Sequence, residues 1–137
     1  MKAVKLFVIV LGGYIGIVVA FESLIGFFQP RGRAVGEDTL VITTTAEDGN
    51  TNDRVLSRLE SSGQLYVSAN HWPRAWYDQA LKNPDVEIAL DGERMAYLAV
   101  PVTGEEHDRV NSDNRHGLAF RVLTGFPPRY FLRLDPR

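Results

Sequence analysis

The densest group of chemistry-bearing side chains lies between residues 68 and 77, where the sequence reads SANHWPRAWY. A histidine, an arginine, two tryptophans and a tyrosine fall where a predicted strand gives way to a predicted helix. Backbone amides that open a helix can receive an anion together with an arginine, and aromatic rings can cover a planar group by stacking. The stretch predicts a pocket for a flat, anionic ligand, with aromatic capping of a protein core as the alternative.

The candidate cofactor-binding residues are the polar and aromatic side chains of this stretch, two arginines of an earlier strand and one tyrosine near the end of the chain. They are Arg54, Arg58, Ser68, Asn70, His71, Trp72, Arg74, Trp76, Tyr77 and Tyr130. The two early arginines are included because a guanidinium matches phosphate through its two-pronged geometry. No catalytic nucleophile or metal ligand is predicted, because the sequence has no cysteine and no HExxH, GxSxG or GxxxxGK motif.

The amino-terminal residues are apolar almost without interruption from Leu6 to Phe28. One helix over this range would be about 35 Å long, enough to cross a bilayer core of about 30 Å. Residues 1–30 are therefore predicted to be a single-pass transmembrane anchor, and residues 31–137 to be a separate domain. A signal peptide, with residues 18–20 as its cleavage site, and a buried core helix are the alternatives. The lysines before the run balance the arginines after it, so the charges do not set an orientation.

Strand and turn signals dominate the rest of the chain. We expect strands over 39–45, 54–60, 64–69, 86–90, 94–102 and 129–134, a short strand over 120–123, and helices over 73–82 and 105–114. Thr103 to Glu106 reads as a capping box for the second helix, whose polar sequence places it and its histidine, His107, on the surface. His116 is expected to be exposed as well. Hairpins linking most strands favour a small barrel, which leaves few open edges.

The order of these pieces resembles the deazaflavin-dependent nitroreductase and quinone reductase family, in the flavin-binding split β-barrel group. The resemblance rests on the TTT-ended strand, the run AWYDQALKNPDVEI and the TGEE helix, and it extends from about Thr39 to Asp135. It implies a mainly β split barrel with two short helices and a reduced deazaflavin cofactor, with FMN as the alternative. It also implies hydride transfer to a quinone or nitro compound, and a homodimer. Asn70 and His71 stand where the family's serine and lysine of one cofactor loop would fall.

Two functions follow from this reading. The first is a membrane-anchored oxidoreductase of the family, in which the cofactor carries the chemistry and the protein orients it. The second is a non-catalytic relative that binds flavin or haem, or acts as an interaction module at the membrane. The second stays open because residues 46–50 read AEDGN, with two acids, where the family carries a basic loop. The net charge of -2 argues against nucleic-acid binding.

Overall fold

The computed structural model describes residues 1–28, 38–70 and 75–137 of the chain. It divides the chain into two compact units, one of Met1–Gln29 with His116–Pro128 and the other of Pro30–Arg115 with Arg129–Arg137. We call the first the helical unit and the second the sheet unit. Because the helical unit is built from two separate stretches of the chain, its second stretch is an insertion between elements of the sheet unit.

The sheet unit contains a seven-stranded, fully antiparallel sheet within the described residues. The strands are β1 Thr39–Thr45, β2 Thr51–Ser57, β3 Leu59–Ser61, β4 Gln64–Ala69, β5 Asp85–Leu90, β6 Glu93–Pro101 and β7 Tyr130–Pro136. Their order is β2-β1-β5-β6-β7-β4-β3, and β2 also contacts β4 near the other edge, so the sheet curls on itself. This architecture confirms the predicted mainly β split barrel with short helices.

The hairpin from β5 to β6 follows the pattern of its turn. Asp91 and Gly92 both have positive φ, at 51° and 87°, which is the backbone of a two-residue turn joining antiparallel strands. Strand residues alternate between faces on both sides of this turn. The inner face forms the main core, with Ile42, Ile88 and Leu132 fully buried. The sequence predicted this hairpin correctly because its register is set by local turn geometry.

Two helices accompany the sheet. α2 spans Ala75–Lys82 and buries Trp76 and Ala80, one turn apart, while α3 spans Gly104–Asp113 and buries Val110. Val110 packs with Tyr66, Val102 and Phe131 in a second core on the outer face of the sheet. The two short helices were predicted, and the structure places α3 over this second core.

Two details of α3 differ from the prediction. Thr103 is its N-cap but makes no side-chain capping bond, and the Glu106 carboxylate accepts a 2.8 Å hydrogen bond from Tyr66 Oη. The prediction that His107 is exposed is wrong. Its ring packs edge-on against Phe131, and its Nε2 lies 3.0 Å from a backbone carbonyl oxygen. Both differences arise because α3 lies on an apolar strip of the sheet that local sequence does not reveal.

The helical unit contains α1, Lys2–Phe28, and α4, Leu118–Leu123. The predicted long amino-terminal helix is confirmed, but the predicted strand over 120–123 is wrong, because those residues belong to α4. The half-buried residues of α1 are Tyr14, Val18, Phe21, Glu22 and Ile25, whose spacing of three and four puts them on one side of the helix. This strip packs against α4, and a short apolar run takes its conformation from such a partner. His116, predicted to be exposed, is half-buried against Phe120.

Candidate functional site

Arg54 lies on the inner face of the sheet. It pairs directly with Ile42 of β1, and directly paired residues point to the same side of a sheet. Ile42 is fully buried in the main core. Arg54 Nε is buried and has no hydrogen-bond partner among the described residues. A buried guanidinium nitrogen without an acceptor is costly, so it offers a binding contact to an oxygen-rich ligand.

Three aromatic residues share the inner side of the sheet. Trp76 is only 8% exposed and packs in the main core. Its ring meets Tyr77 edge-on at 5.9 Å, and Tyr77 in turn packs against Tyr130 at 5.6 Å with an interplanar angle of 32°. Tyr130 is 41% exposed. The indole is therefore covered by protein, and the Tyr77–Tyr130 pair provides the aromatic surface that remains accessible.

Ser68 and Asn70 belong to the outer face, opposite the aromatic pair. Ser68 pairs with Phe131, whose ring lies in the second core, and Asn70 follows two residues later on the same side. Ser68 is buried, at 8% exposure. Asn70 Oδ1 accepts a 2.9 Å hydrogen bond from Arg129 Nε. This bond fixes the Asn70 carbonyl on the outer face.

Arg129 is the residue that the sequence analysis missed. Besides Asn70, its guanidinium donates to Asn111 Oδ1 at 3.0 Å and to the backbone oxygen of Asn114 at 2.7 Å, at the end of α3. It also lies 4.8 Å from the centre of the Phe131 ring. Burial lowers the pKa of Arg129, and its Nη2 finds no acceptor within the described part of the chain. The sequence placed it only as the first residue of the predicted last strand, whereas the observed strand begins at Tyr130.

The remaining candidates are placed differently. Arg58 is held by carboxylates, 2.7 Å from Glu60 and 3.8 Å from Asp91, so its charge is already compensated. His71, Trp72 and Arg74 lie outside the described residues. The structure thus brings Arg54, Trp76, Tyr77 and Tyr130 to one face of the sheet and puts Ser68 and Asn70 on the other.

A separate cavity of about 710 Å³ lies beside the loop between β1 and β2. We call it the acidic groove. Its lining residues are Thr45, Ala46, Glu47, Asp48, Asp78, Gln79, Lys82 and Asn83. Three of these are acidic and one is basic, and Lys82 is paired with Glu47 at 2.7 Å. The groove therefore carries an excess of negative charge.

Local hydrogen bonds keep two of these carboxyl groups ionised. The bond from Lys82 lowers the pKa of Glu47, and bonds from the backbone and side chain of Asn50 lower the pKa of Asp48. The groove wall is tied to α2 by Thr44, whose hydroxyl donates to Gln79 Oε1 at 2.7 Å. Such a groove repels an anionic ligand. Among the residues described, no three histidine or acidic side chains come together as a metal-binding group.

The sequence was compared with protein-family models and with known proteins. A family model described as F420H(2)-dependent quinone reductase matches residues 29–119. No curated protein matches the sequence.

Three solved structures illustrate the fold. A structure described as an F420-H2 dependent reductase (FDR-A) is 17% identical, with a TM-score of 0.54 over 74% of this chain and 98% of that one. HutZ, the haem storage protein from Vibrio cholerae, is 19% identical, with a TM-score of 0.58 over 74% and 82%. A pyridoxamine 5'-phosphate oxidase-related, FMN-binding protein from Nostoc punctiforme is 19% identical, with a TM-score of 0.54 over 90% and 78%. At these identities the likeness shows a shared fold.

Proposed function

The chain belongs to the F420H(2)-dependent quinone reductase family, and we propose that it is an oxidoreductase that passes a hydride from a reduced deazaflavin or flavin to a quinone or nitro compound. The observation that carries the proposal within the structure is Arg54. Its buried Nε, which has no hydrogen-bond partner among the described residues, lies on the same face of the sheet as the accessible Tyr77–Tyr130 pair. A cation and an aromatic surface are what a planar cofactor with oxygen acceptors requires.

The residues fit one part of such a cofactor and not another. An oxygen-bearing ring system, or a phosphate close to it, suits the Arg54 guanidinium and the tyrosine pair. The acidic groove does not suit a long polyanionic tail, because ionised Glu47 and Asp48 would repel it. We therefore place the ring system on the inner face of the sheet. The acidic groove is not assigned to the polyanionic tail of the cofactor.

When bound, a reduced deazaflavin or flavin supplies the hydride, and the protein supplies binding and orientation. We assign Arg54 to an acceptor oxygen of the cofactor, and Tyr77 with Tyr130 to the plane of its ring. His71, Trp72 and Arg74 stay candidates for the rest of the site. Asn70 lies on the outer face with its carbonyl held by Arg129, so we do not assign it to the ring system.

We also propose that α1 anchors the protein in a membrane, with a lipophilic quinone as the natural acceptor. α1 contains a segment, Lys2–Ile25, that is long and apolar enough to span a bilayer. A signal peptide passes the same test, but cleavage at residues 18–20 would remove Tyr14 and Val18, which pack against the second stretch of the helical unit. These contacts favour a helix that stays in the mature protein.

The test uses the full-length protein in lipid vesicles. Reduced deazaflavin and reduced FMN are titrated separately while their fluorescence or absorbance is followed, and a lipophilic quinone is then added. We expect micromolar or tighter binding of at least one cofactor, followed by quinone-dependent oxidation. Absence of binding for both would overturn the oxidoreductase. Binding without oxidation by any quinone or nitro compound would overturn the hydride-transfer step.

A second candidate is a non-catalytic split-barrel protein that holds a flavin or haem, or acts as an interaction module at the membrane. The acidic groove favours it, since a basic loop is expected there in a deazaflavin enzyme. The absorbance spectrum of the protein purified from its native host separates the two: a Soret band indicates haem, and a flavin or deazaflavin band indicates the first candidate. The homodimer stays a prediction, which the molar mass measured by light scattering in detergent would test.

A further inference from the structure

Residues 116–128 depart from the rest of the chain in how they bury their side chains. Leu118 is 69% exposed, Phe126 is 51% exposed, and Val122 and Leu123 are each 38% exposed. Four large apolar residues are thus open within nine positions, in a segment that packs with α1 instead of contributing to either core of the sheet unit. An apolar surface of this kind usually marks an interaction site.

The contacts between this segment and α1 are specific. Tyr14 Oη donates a 2.8 Å hydrogen bond to the backbone oxygen of Val122. The rings of Phe21 and Phe120 meet edge-on at 6.3 Å. A Cβ added to Gly125 would lie 3.0 Å from a methyl group of Val18, so the glycine allows a close approach.

These contacts set the depth of the segment in a bilayer. Within the span Lys2–Ile25, Phe21 lies four residues and Tyr14 eleven residues before the end, which is about 6 Å and about 16 Å along a helix. Any segment packed on these side chains lies at the depth of the hydrocarbon, given a core of about 30 Å.

The backbone of the segment is suited to that environment, where unpaired polar groups are costly. Four of its amides bond to its own carbonyls: those of Arg121, Thr124, Gly125 and Phe126, at 2.9 to 3.3 Å. Thr124 is 3% exposed, and its hydroxyl donates to the Phe120 carbonyl at 2.9 Å. Pro127 and Pro128, which follow Phe126, have no amide hydrogen.

From these observations we propose that residues 118–126 form a second membrane-inserted segment, packed on α1 with its exposed apolar side chains in the lipid. This rests on the proposed anchoring by α1 and adds a second contact with the bilayer. Lipid is the partner because the segment's neighbour, α1, has no fully buried residue among those described and is long enough to span. Arg121 is the one charged side chain between Leu118 and Phe126. Its guanidinium lies 5.3 Å from the centre of the Phe126 ring, and its long stem allows it to reach the headgroup region in a bilayer.

The absence of cysteine from the sequence makes a clean test possible. Single variants Leu118→Cys and Phe126→Cys are made in the full-length protein and inserted into vesicles opened to give access to both leaflets. In these vesicles a water-soluble maleimide should label them at least about tenfold more slowly than it labels Met95→Cys. Met95 is 45% exposed on β6, so without lipid cover all three positions would be open to the reagent.

A second readout identifies what protects the cysteines. An environment-sensitive fluorophore attached at position 118 or 126 should be quenched by nitroxide groups placed on the lipid chains, and one at position 95 should not. Rapid maleimide labelling at 118 and 126 in vesicles would overturn the proposal. Slow labelling without nitroxide quenching would also overturn it, because protein would then be the cover.

A separate experiment tests whether α1 anchors the chain in the membrane. Alkaline carbonate extracts a protein that lacks a spanning helix, so release of the whole chain would reject anchoring by α1 and the proposed insertion with it. A chain that stays in the membrane but labels rapidly at 118 and 126 would reject only the second segment.

Discussion

Two regions beside the same β1–β2 hairpin carry opposite electrostatics. On the inner face of the sheet, Arg54 presents a buried guanidinium nitrogen that no described residue accepts from. In the acidic groove, three carboxylates meet one lysine, and that lysine is already paired. Among the described residues, the first region offers no acceptor to Arg54 Nε, and the second has more negative than positive charge. An anionic or oxygen-rich ligand therefore gains at the first and loses at the second.

This difference bears on how the family site is used. In the resemblance drawn from sequence, the loop after the first strand is basic and holds the cofactor's anionic tail. Here that loop is acidic, and its carboxyl groups are held ionised by Lys82 and Asn50. Under the proposed function, we expect ligand recognition in this chain to depend more on Arg54 and the tyrosine pair than on the loop. Four predictions test the comparison.

The largest expected effect is at Arg54. Replacing it, as Arg54→Gln, should weaken cofactor binding by about 10- to 100-fold, because a hydrogen bond to a charged group contributes about 1.5–3 kcal/mol. Arg58→Gln is the matched control, since Arg58 is already paired with Glu60 and Asp91. Equilibrium titration of both variants measures the difference. Equal losses would remove the distinction between the two arginines, and no loss at Arg54 would remove its assigned role.

A second prediction concerns Arg129, whose hydrogen bonds we interpret as a structural link between β4, β7 and α3. Arg129→Gln should lower the free energy of unfolding by about 1–3 kcal/mol, because buried acceptors on Asn70 and Asn114 would lose their donor. Asn70→Ala should cost less, and the double variant should cost less than the sum, since the two share one bond. Denaturant unfolding in detergent measures this cycle. If the losses of unfolding free energy from the two single variants add up to that of the double variant, the proposed link is contradicted.

The third prediction concerns the acidic groove. The double variant Glu47→Gln/Asp48→Asn should tighten binding of a deazaflavin with a polyanionic tail by about three- to tenfold at low salt, and less at high salt. Binding of FMN, which has a short phosphate, should change little. The control, Glu105→Gln/Asp108→Asn on α3, alters the net charge equally. If the control variant binds the deazaflavin as tightly, net charge and not the groove is responsible.

The smallest effect is the acid sensitivity of Glu106, which accepts from Tyr66 Oη at 2.8 Å and lies 3.0 Å from Arg133 Nη1. The bond from Tyr66, and then the bond from Arg133, lowers the pKa of Glu106. A lowered pKa in the folded state stabilises the protein above the unfolded value of about 4.3, and that stability is lost as the pH falls through the folded pKa.

The contribution should be below about 1 kcal/mol, because the pair is partly exposed. Glu106→Gln should therefore unfold more easily than the unmodified chain at neutral pH, with the difference shrinking below about pH 4. Glu105→Gln is the control. Melting temperatures measured across pH would show the trend, and a difference that grows on acidification would contradict it. Paired charges of this kind contrast with Arg54, whose partner is not supplied by the described residues.

Local patterns in the sequence determined much of the sheet unit. The TTT strand, the Asp91-Gly92 turn and the closing RYFLRL strand were each predicted and each is present. Strand alternation and turn residues act over a few positions, so one sequence is enough to identify them. The long apolar helix at the start followed from the same kind of local signal. The family resemblance was carried by equally local runs of residues.

The tertiary structure decided which of these residues meet. Trp76 lies in the core, and Ser68 and Asn70 point away from Tyr130, because the pairing register of β4 and β7 sets their faces. Arg129 is held by a hydrogen bond to the end of α3, and residues 118–123 are helical where they pack beside α1. Neither feature is indicated by the local sequence. The physical reason is common to all of these. Burial and hydrogen bonding depend on partners distant in the chain, and single-sequence patterns do not specify those partners.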